Sequence, residues 1–133
     1  MDAWLSAFIV DEGGVAGSVH HVREGALRLT GAFRLPEPVI RATAIIPQGK
    51  GMAGLAWERD AAVQTCNLQD PGAAGADSVK PGARAVNAQG AVAFPVHDGD
   101  GAVRAVVGIA YADERVLDAT SLEGLARRAS TLP

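Results

Sequence analysis

The sequence predicts an α+β domain built on an antiparallel sheet, and three observations carry that reading. Two pairs of strand-like runs are each joined by a short polar glycine turn, Glu24-Gly25 and Asp98-Gly99-Asp100-Gly101. That is hairpin chemistry, hence antiparallel pairing. Helical spacing appears at the two ends and in short central stretches, without the regular strand-helix alternation that a parallel sheet requires.

Each element follows in order. Trp4, Leu5, Phe8 and Ile9 fall at i, i+1, i+4 and i+5, one stripe of a short helix. Gly13-Gly14 would stop it. Phe8-Ile9-Val10 is also good strand chemistry, so both forms stay open here. Residues 17 to 23 and 26 to 33 form the first hairpin. In its second arm, strict alternation puts Leu27, Leu29, Gly31 and Phe33 on one face, with Arg28 and Thr30 on the other. Pro36-Glu37-Pro38 opens a short helix through Val39 and Ile40. A glycine turn leads into a helix over residues 52 to 59, then a strand over 62 to 68. Residues 69 to 88 read as a long loop rich in Gly, Ala and Pro, and loops of that length more often serve function than arise by accident. The second hairpin joins residues 90 to 97 with 102 to 112. In the last helix Leu122, Leu125, Ala126 and Ala129 align at helical spacing.

Composition bounds the function. With 133 residues, 48% of them hydrophobic and 20% charged, the chain is expected to be a single soluble domain, residues 1 to 133, that needs no staple. One cysteine excludes an internal disulfide framework and every multi-cysteine zinc motif. A net charge of -3 argues against nucleic acid as a partner, since that binding needs basic patches. The opening Met1-Asp2 places an acid where a signal peptide carries positive charge, and no apolar run is long enough to span a bilayer. A cytoplasmic protein without membrane contact is the expectation.

The stretch from Ile46-Pro47 to Gly54 admits two readings. Gly49, Gly51 and Gly54 match G-x-G-x-x-G, and Asp70 stands where a ribose-binding acid would. The physics of a dinucleotide site disagrees. Pro47-Gln48 separate the apolar Ala44-Ile45-Ile46 from the first glycine, the helix that follows is short for a parallel crossover, and a hairpin comes later instead of further alternation. The second reading gives the glycines a structural task, a tight turn with close backbone packing.

With these pieces in place the chain resembles the GAF family over nearly its whole length. The resemblance rests on Gly17-Ser18-Val19-His20-His21-Val22, Leu27-Arg28-Leu29-Thr30, Ile46-Pro47 with the glycines, Val63-Gln64-Thr65-Cys66-Asn67-Leu68, Val92-Ala93-Phe94-Pro95-Val96 and Val106-Val107-Gly108-Ile109-Ala110. It implies a GAF/PAS-like central antiparallel sheet of five to six strands, with terminal helices on one face and a ligand pocket on the other. One branch of the family consists of free methionine-R-sulfoxide reductases that work through several cysteines. By alignment on the glycine turn, two of those positions fall near Thr43 and Ala53, and neither is cysteine. Cys66 has no second thiol to resolve an oxidised form, and reads as a small buried filler.

The expected function is therefore a non-catalytic sensory or regulatory module that binds a small molecule and signals through a protein partner. A ligand-free interaction or dimerisation module is the alternative. An enzyme, whether a sulfoxide reductase or dinucleotide-dependent, comes third. No catalytic residue, cofactor or metal is expected: His20 and His21 alternate across a strand and cannot ligate one ion together, and His97 beside Asp98 sits at a strand end. The candidate ligand-binding residues combine apolar bodies with polar tips or wall positions: Trp57, Tyr111, Asn87, Gln89, Phe94 and Thr30. A homodimer through the terminal helices is expected, with Trp4 and Phe8 as candidate contacts or, alternatively, core cover.

Overall fold

The computed structural model describes residues 1–66, 90–113 and 117–133; for Thr65 and Cys66 only the backbone is described. The elements are α1 (Asp2–Asp11), β1 (Ala16–Arg23), β2 (Ala26–Phe33), α2 (Glu37–Ala42), β3 (Ile45–Ile46), α3 (Gly51–Arg59), β4 (Val63–Cys66), β5 (Gly90–His97), β6 (Val103–Tyr111) and α4 (Ala119–Ala129). Six strands make one sheet in the order β3-β2-β1-β6-β5-β4, and every neighbouring pair is antiparallel. The α+β class and the antiparallel sheet expected from the sequence are both present. The sixth strand is the two-residue β3 at the sheet edge, too short to leave an alternating signature.

Turn chemistry sets both hairpins. Glu24 (φ 54) and Gly25 (φ 78) are both left-handed, as a two-residue turn matched to strand twist requires. At the other hairpin the Asp98 carboxylate accepts the N–H groups of Asp100 and Ala102, and Gly101 takes φ 85.

The alternation read along β2 fails at one residue. Val19 pairs with Gly31 but His20 pairs with Leu29, so Thr30 has no partner across the ladder. One bulged residue moves the chain beyond it to the opposite face. Leu27 and Leu29 therefore face α3, whereas Gly31 and Phe33 face α1. Phe33 packs against the core beneath α1 and α4, and a Cβ on Gly31 would lie 2.8 Å from Met1 Cγ.

Two apolar layers flank the sheet. On one face Leu5, Phe8 and Ile9 of α1, with Leu125 and Ala129 of α4, cover Val19, Val92, Phe94, Val107, Ile109 and Tyr111. Ile9 seats on Gly17, where a Cβ would also lie 2.7 Å from the Gly108 carbonyl. On the opposite face Ala56 of α3 meets Leu27, Ala93 and Val106, with Met52, Ala53 and Trp57 packed around them.

The N-terminus of α1 has no side-chain cap, and the helix is held by packing and by α4. Trp4 stacks on Phe8 with centroids 5.2 Å apart, and its indole N–H donates to Thr131 Oγ1 at 3.0 Å. Arg128 of α4 donates to Asp11 at 2.7 Å and Glu12 at 3.2 Å. Of the two roles the sequence leaves open for Phe8, core cover is the one its burial fits: it is 0% exposed within the single chain. Trp4 is half-buried.

Candidate functional site

The sheet face away from α1 and α4 has an unusual floor. Ala93 belongs to the α3-side layer; across the ladder it stands beside Gly108, and Gly108 beside Ser18, which pairs with Ala32. One row further along, Ala16, Ala110 and Ala91 are successive neighbours. Side chains two residues apart on a strand share a face, so on β5, β6 and β1 two adjacent rows carry nothing larger than serine, the first of them bounded on β4 by Val63, which pairs with Ala93. α3 covers the Leu27, Val106 and Val63 end of this face. Among the described residues, a Cβ on Gly108 would meet Ser18 Oγ at 3.1 Å and Val92 O at 4.0 Å. Among the described residues no helix packs against that position, in contrast to Gly17 under Ile9.

His20 stands one row beyond Ser18 on the same face, paired with Leu29 and Val106. It is the buried polar residue of the described core, 2% exposed. Its Nε2 lies 2.8 Å from the Thr43 carbonyl oxygen, which can only accept. The neutral ring therefore carries its proton on Nε2 and a lone pair on Nδ1, and Nδ1 is buried without a hydrogen-bond partner. Burial holds the imidazole pKa below its ordinary value; the Thr43 bond opposes this and neighbouring His21 adds to it. His21 points to the other face of β1, where Nδ1 meets Thr30 Oγ1 at 2.6 Å and that hydroxyl reaches the Val19 carbonyl. Burial first, then Arg104 and Arg23, lower the His21 pKa.

The structure separates most of the sequence-derived candidates. Trp57 lies on the α3 side, near the small-residue floor. Phe94 and Tyr111 lie on the opposite face, at 0% and 1% exposure under α1 and α4. The sheet itself stands between them and Trp57, so the three cannot line one pocket. Thr30 is exposed at the bulge, engaged with His21 and Val19. Asn87 and Gln89 lie outside the described residues. Sequence reading missed Ser18 and His20. A signal was available: Ala91-Val92-Ala93 and Gly108-Ile109-Ala110 each alternate small with large, the trace of a sheet whose two faces carry side chains of different size.

The glycine turn is spent on its own backbone. Gly49 N–H donates to the Gly54 carbonyl at 3.0 Å, so it does not face outward towards a phosphate. A Cβ on Gly54 would lie 2.6 Å from the Pro47 oxygen, and one on Gly49 would lie 2.6 Å from the Glu58 carboxylate. β3 and β4, joined by α3, occupy opposite edges of the sheet, which is not a parallel crossover. Among the described residues no three His, Cys, Asp or Glu side chains gather as metal ligands, and no helix is long and apolar enough to cross a membrane.

The chain is similar in structure to the GAF domain region of a putative membrane protein from Geobacter sulfurreducens, with a TM-score of 0.75 and 15% identity over 99% of this chain and 87% of that one. The fold is GAF-like. A type II free methionine-R-sulfoxide reductase from Thermoplasma acidophilum shares it at a TM-score of 0.73 and 14% identity, covering 97% and 84% of the two chains. So does an NreA protein from Staphylococcus aureus mutated in its nitrate binding site, at 0.69 and 14%, covering 88% and 86%. No protein-family model matches the sequence, and comparison with curated protein sequences finds no match. GAF-like architecture thus accommodates an enzyme and an anion-binding protein as readily as a bare GAF domain, and function must be argued from the site.

Proposed function

We propose that this GAF-like chain is a non-catalytic sensory or regulatory module that binds a small molecule on the Ser18–Gly108–Ala93 face and passes its state to a protein partner. The observation that carries the reading is the floor itself. On β5, β6 and β1 two adjacent rows of Ala, Gly and Ser lie opposite a face filled with large side chains, so the described residues on this side are short where those on the other are bulky. Ligand sites are concave, mostly apolar and directed by few polar groups, and His20 supplies such a group. A catalytic role in the manner of the reductase neighbours finds no support in the residues: thiol reduction of a sulfoxide needs an attacking thiolate and a resolving thiol, and the sequence contains one cysteine. Signal output and homodimer contact belong to the outer surfaces of α1 and α4, through Trp4 and its surroundings and not through Phe8.

Native mass spectrometry of freshly purified protein, set against the denatured mass, tests the reading. A reproducible added mass per chain, lost when Gly108 is replaced by leucine in a still-folded protein, is the expected result. A bare chain that also fails to take up any member of a small-molecule library would overturn it. The same spectrum reports whether two chains associate.

A further inference from the structure

We infer that the start of α4 is a hinged flap, held to the sheet by a releasable latch, the Gln64 carboxamide, and bending at Gly124. The inference needs no occupant on the small-residue face, so its test and the ligand test fail separately.

Three independent observations lead there. The first is the latch. Gln64 stands on β4, at the edge of the sheet, paired with Val92. Its Nε2 donates to the Leu117 carbonyl at 3.0 Å, and its Oε1 accepts the Leu117 N–H at 2.9 Å. One side-chain amide thus exchanges both hydrogen bonds with a single residue, as a neighbouring strand does. Holding it there costs the rotamer freedom of a long side chain, so the latch opens more readily than a strand. Asp118, the next residue, caps α4 by accepting the Ser121 N–H, so latch and cap stand side by side. The second observation is the uneven hold on α4. From Asp118 to Gly124 every residue is exposed except the half-buried Leu122. The other half is pinned: Leu125 and Ala129 are buried, and Arg128 donates to Asp11 and Glu12. Segments with few buried contacts open at lower free energy than the rest of a fold. The third observation is Gly124. It lies in mid-helix at the boundary of the two halves, and only proline is less favourable there. Among the described residues a Cβ at Gly124 would meet nothing within 4 Å, so packing does not call for a glycine.

Release of Gln64 therefore frees the first turns of α4 while the sheet and the second half stay in place. Opening uncovers Leu117 and Leu122, which pack against the core when the flap is closed. The same segment thus presents polar Thr120, Ser121 and Glu123 when shut and an apolar underside when open.

The test is amide hydrogen exchange of the full chain, read at Leu122 and Glu123 in the flap and at Ala129 and Val107 outside it. In Gln64→Leu at neutral pH, exchange at Leu122 and Glu123 is expected to rise about tenfold, as the loss of one to two hydrogen bonds gives, with Ala129 and Val107 unchanged. Adding Gly124→Ala to that variant is expected to slow the flap about fivefold through helix propensity. Gln64→Glu separates hydrogen bonding from packing, because its carboxylate cannot donate to the Leu117 carbonyl whereas the neutral acid can. Its flap is expected to exchange faster than the parent's at neutral pH and to approach the parent's protection as the pH falls through about 4.3. Unchanged exchange at Leu122 and Glu123 in Gln64→Leu, or no recovery of Gln64→Glu in acid, would overturn the latch. An equal rise at Ala129 and Val107 would mean that α4 opens only with the whole fold, and would overturn the flap. No slowing by Gly124→Ala would overturn the hinge.

Discussion

His20 shows how one buried side chain ties stability to pH. The unfolded chain takes up its proton near the ordinary histidine value of about 6.5, whereas burial delays uptake in the folded chain to lower pH. The unfolded state therefore binds more protons between those two values, and stability falls as pH drops through that window. Above about pH 7 the contribution is whole. His21, lowered for related reasons, adds with the same sign. Thermal melts between pH 7.5 and 5 are expected to show a falling Tm that the His20→Gln variant flattens. An unchanged slope in that variant would remove His20 as the cause. A second residue, Gly54, is fixed by space alone. Alanine normally favours a helix over glycine by about 1 kcal/mol, yet a Cβ here would collide with the Pro47 carbonyl at 2.6 Å. Gly54→Ala is expected to lower stability in urea unfolding, the reverse of its helix propensity.

Among the elements, α1 and α4 depend on each other. Phe8 is fully buried between them and the sheet, stacked on Trp4, so Phe8→Ala is expected to cost about 3–5 kcal/mol, read from the urea midpoint. At the start of α4 the Asp118 carboxylate caps the helix by accepting the Ser121 N–H, a bond that holds the carboxyl pKa below its usual range. Asp118→Ala is expected to fray α4 and lower Tm at neutral pH, with the difference from the parent shrinking in acid as the carboxylate is protonated. Element existence was legible in the sequence because period and turn chemistry agreed: Gly13-Gly14 stop α1, Glu24-Gly25 and Asp98–Gly101 make hairpins, and Leu125 and Ala129 mark the inner face of α4. The face assignment along β2 was not legible. A bulge at Thr30 leaves composition untouched while reversing every side chain after it, and only the pairing of Val19 with Gly31 reveals it. Phe94 and Tyr111 misled for a related reason. An aromatic with good pocket chemistry on a strand reads the same whichever side of the sheet it faces.

For the whole molecule, the asymmetry between the two sheet faces governs function. One face is filled by two helices with large side chains and is closed by contacts between chain positions more than a hundred residues apart. Among the described residues, the other carries α3 over part of its area and, beside it, two rows of small residues on β5, β6 and β1. Enlarging the floor should therefore separate ligand uptake from folding. Gly108→Leu is expected to abolish any added mass in native spectra while changing the Tm far less than Phe8→Ala does. If both properties collapse together, the small residues serve packing and not a ligand.

The contact between Trp4 and Thr131 has a consequence for how the chain is drawn as a topology. With residues 4 and 131 held 3.0 Å apart across the α1–α4 junction, the fold is close to a ring cut at one place, and the position of the cut is arbitrary to the packing. Joining the ends with a short glycine-serine bridge and reopening the ring between Gly99 and Asp100, in an exposed turn, should return the same sheet order from a permuted sequence. The same adjacency lets the domain be spliced as a unit into a loop of another protein, its entry and exit leaving from one spot.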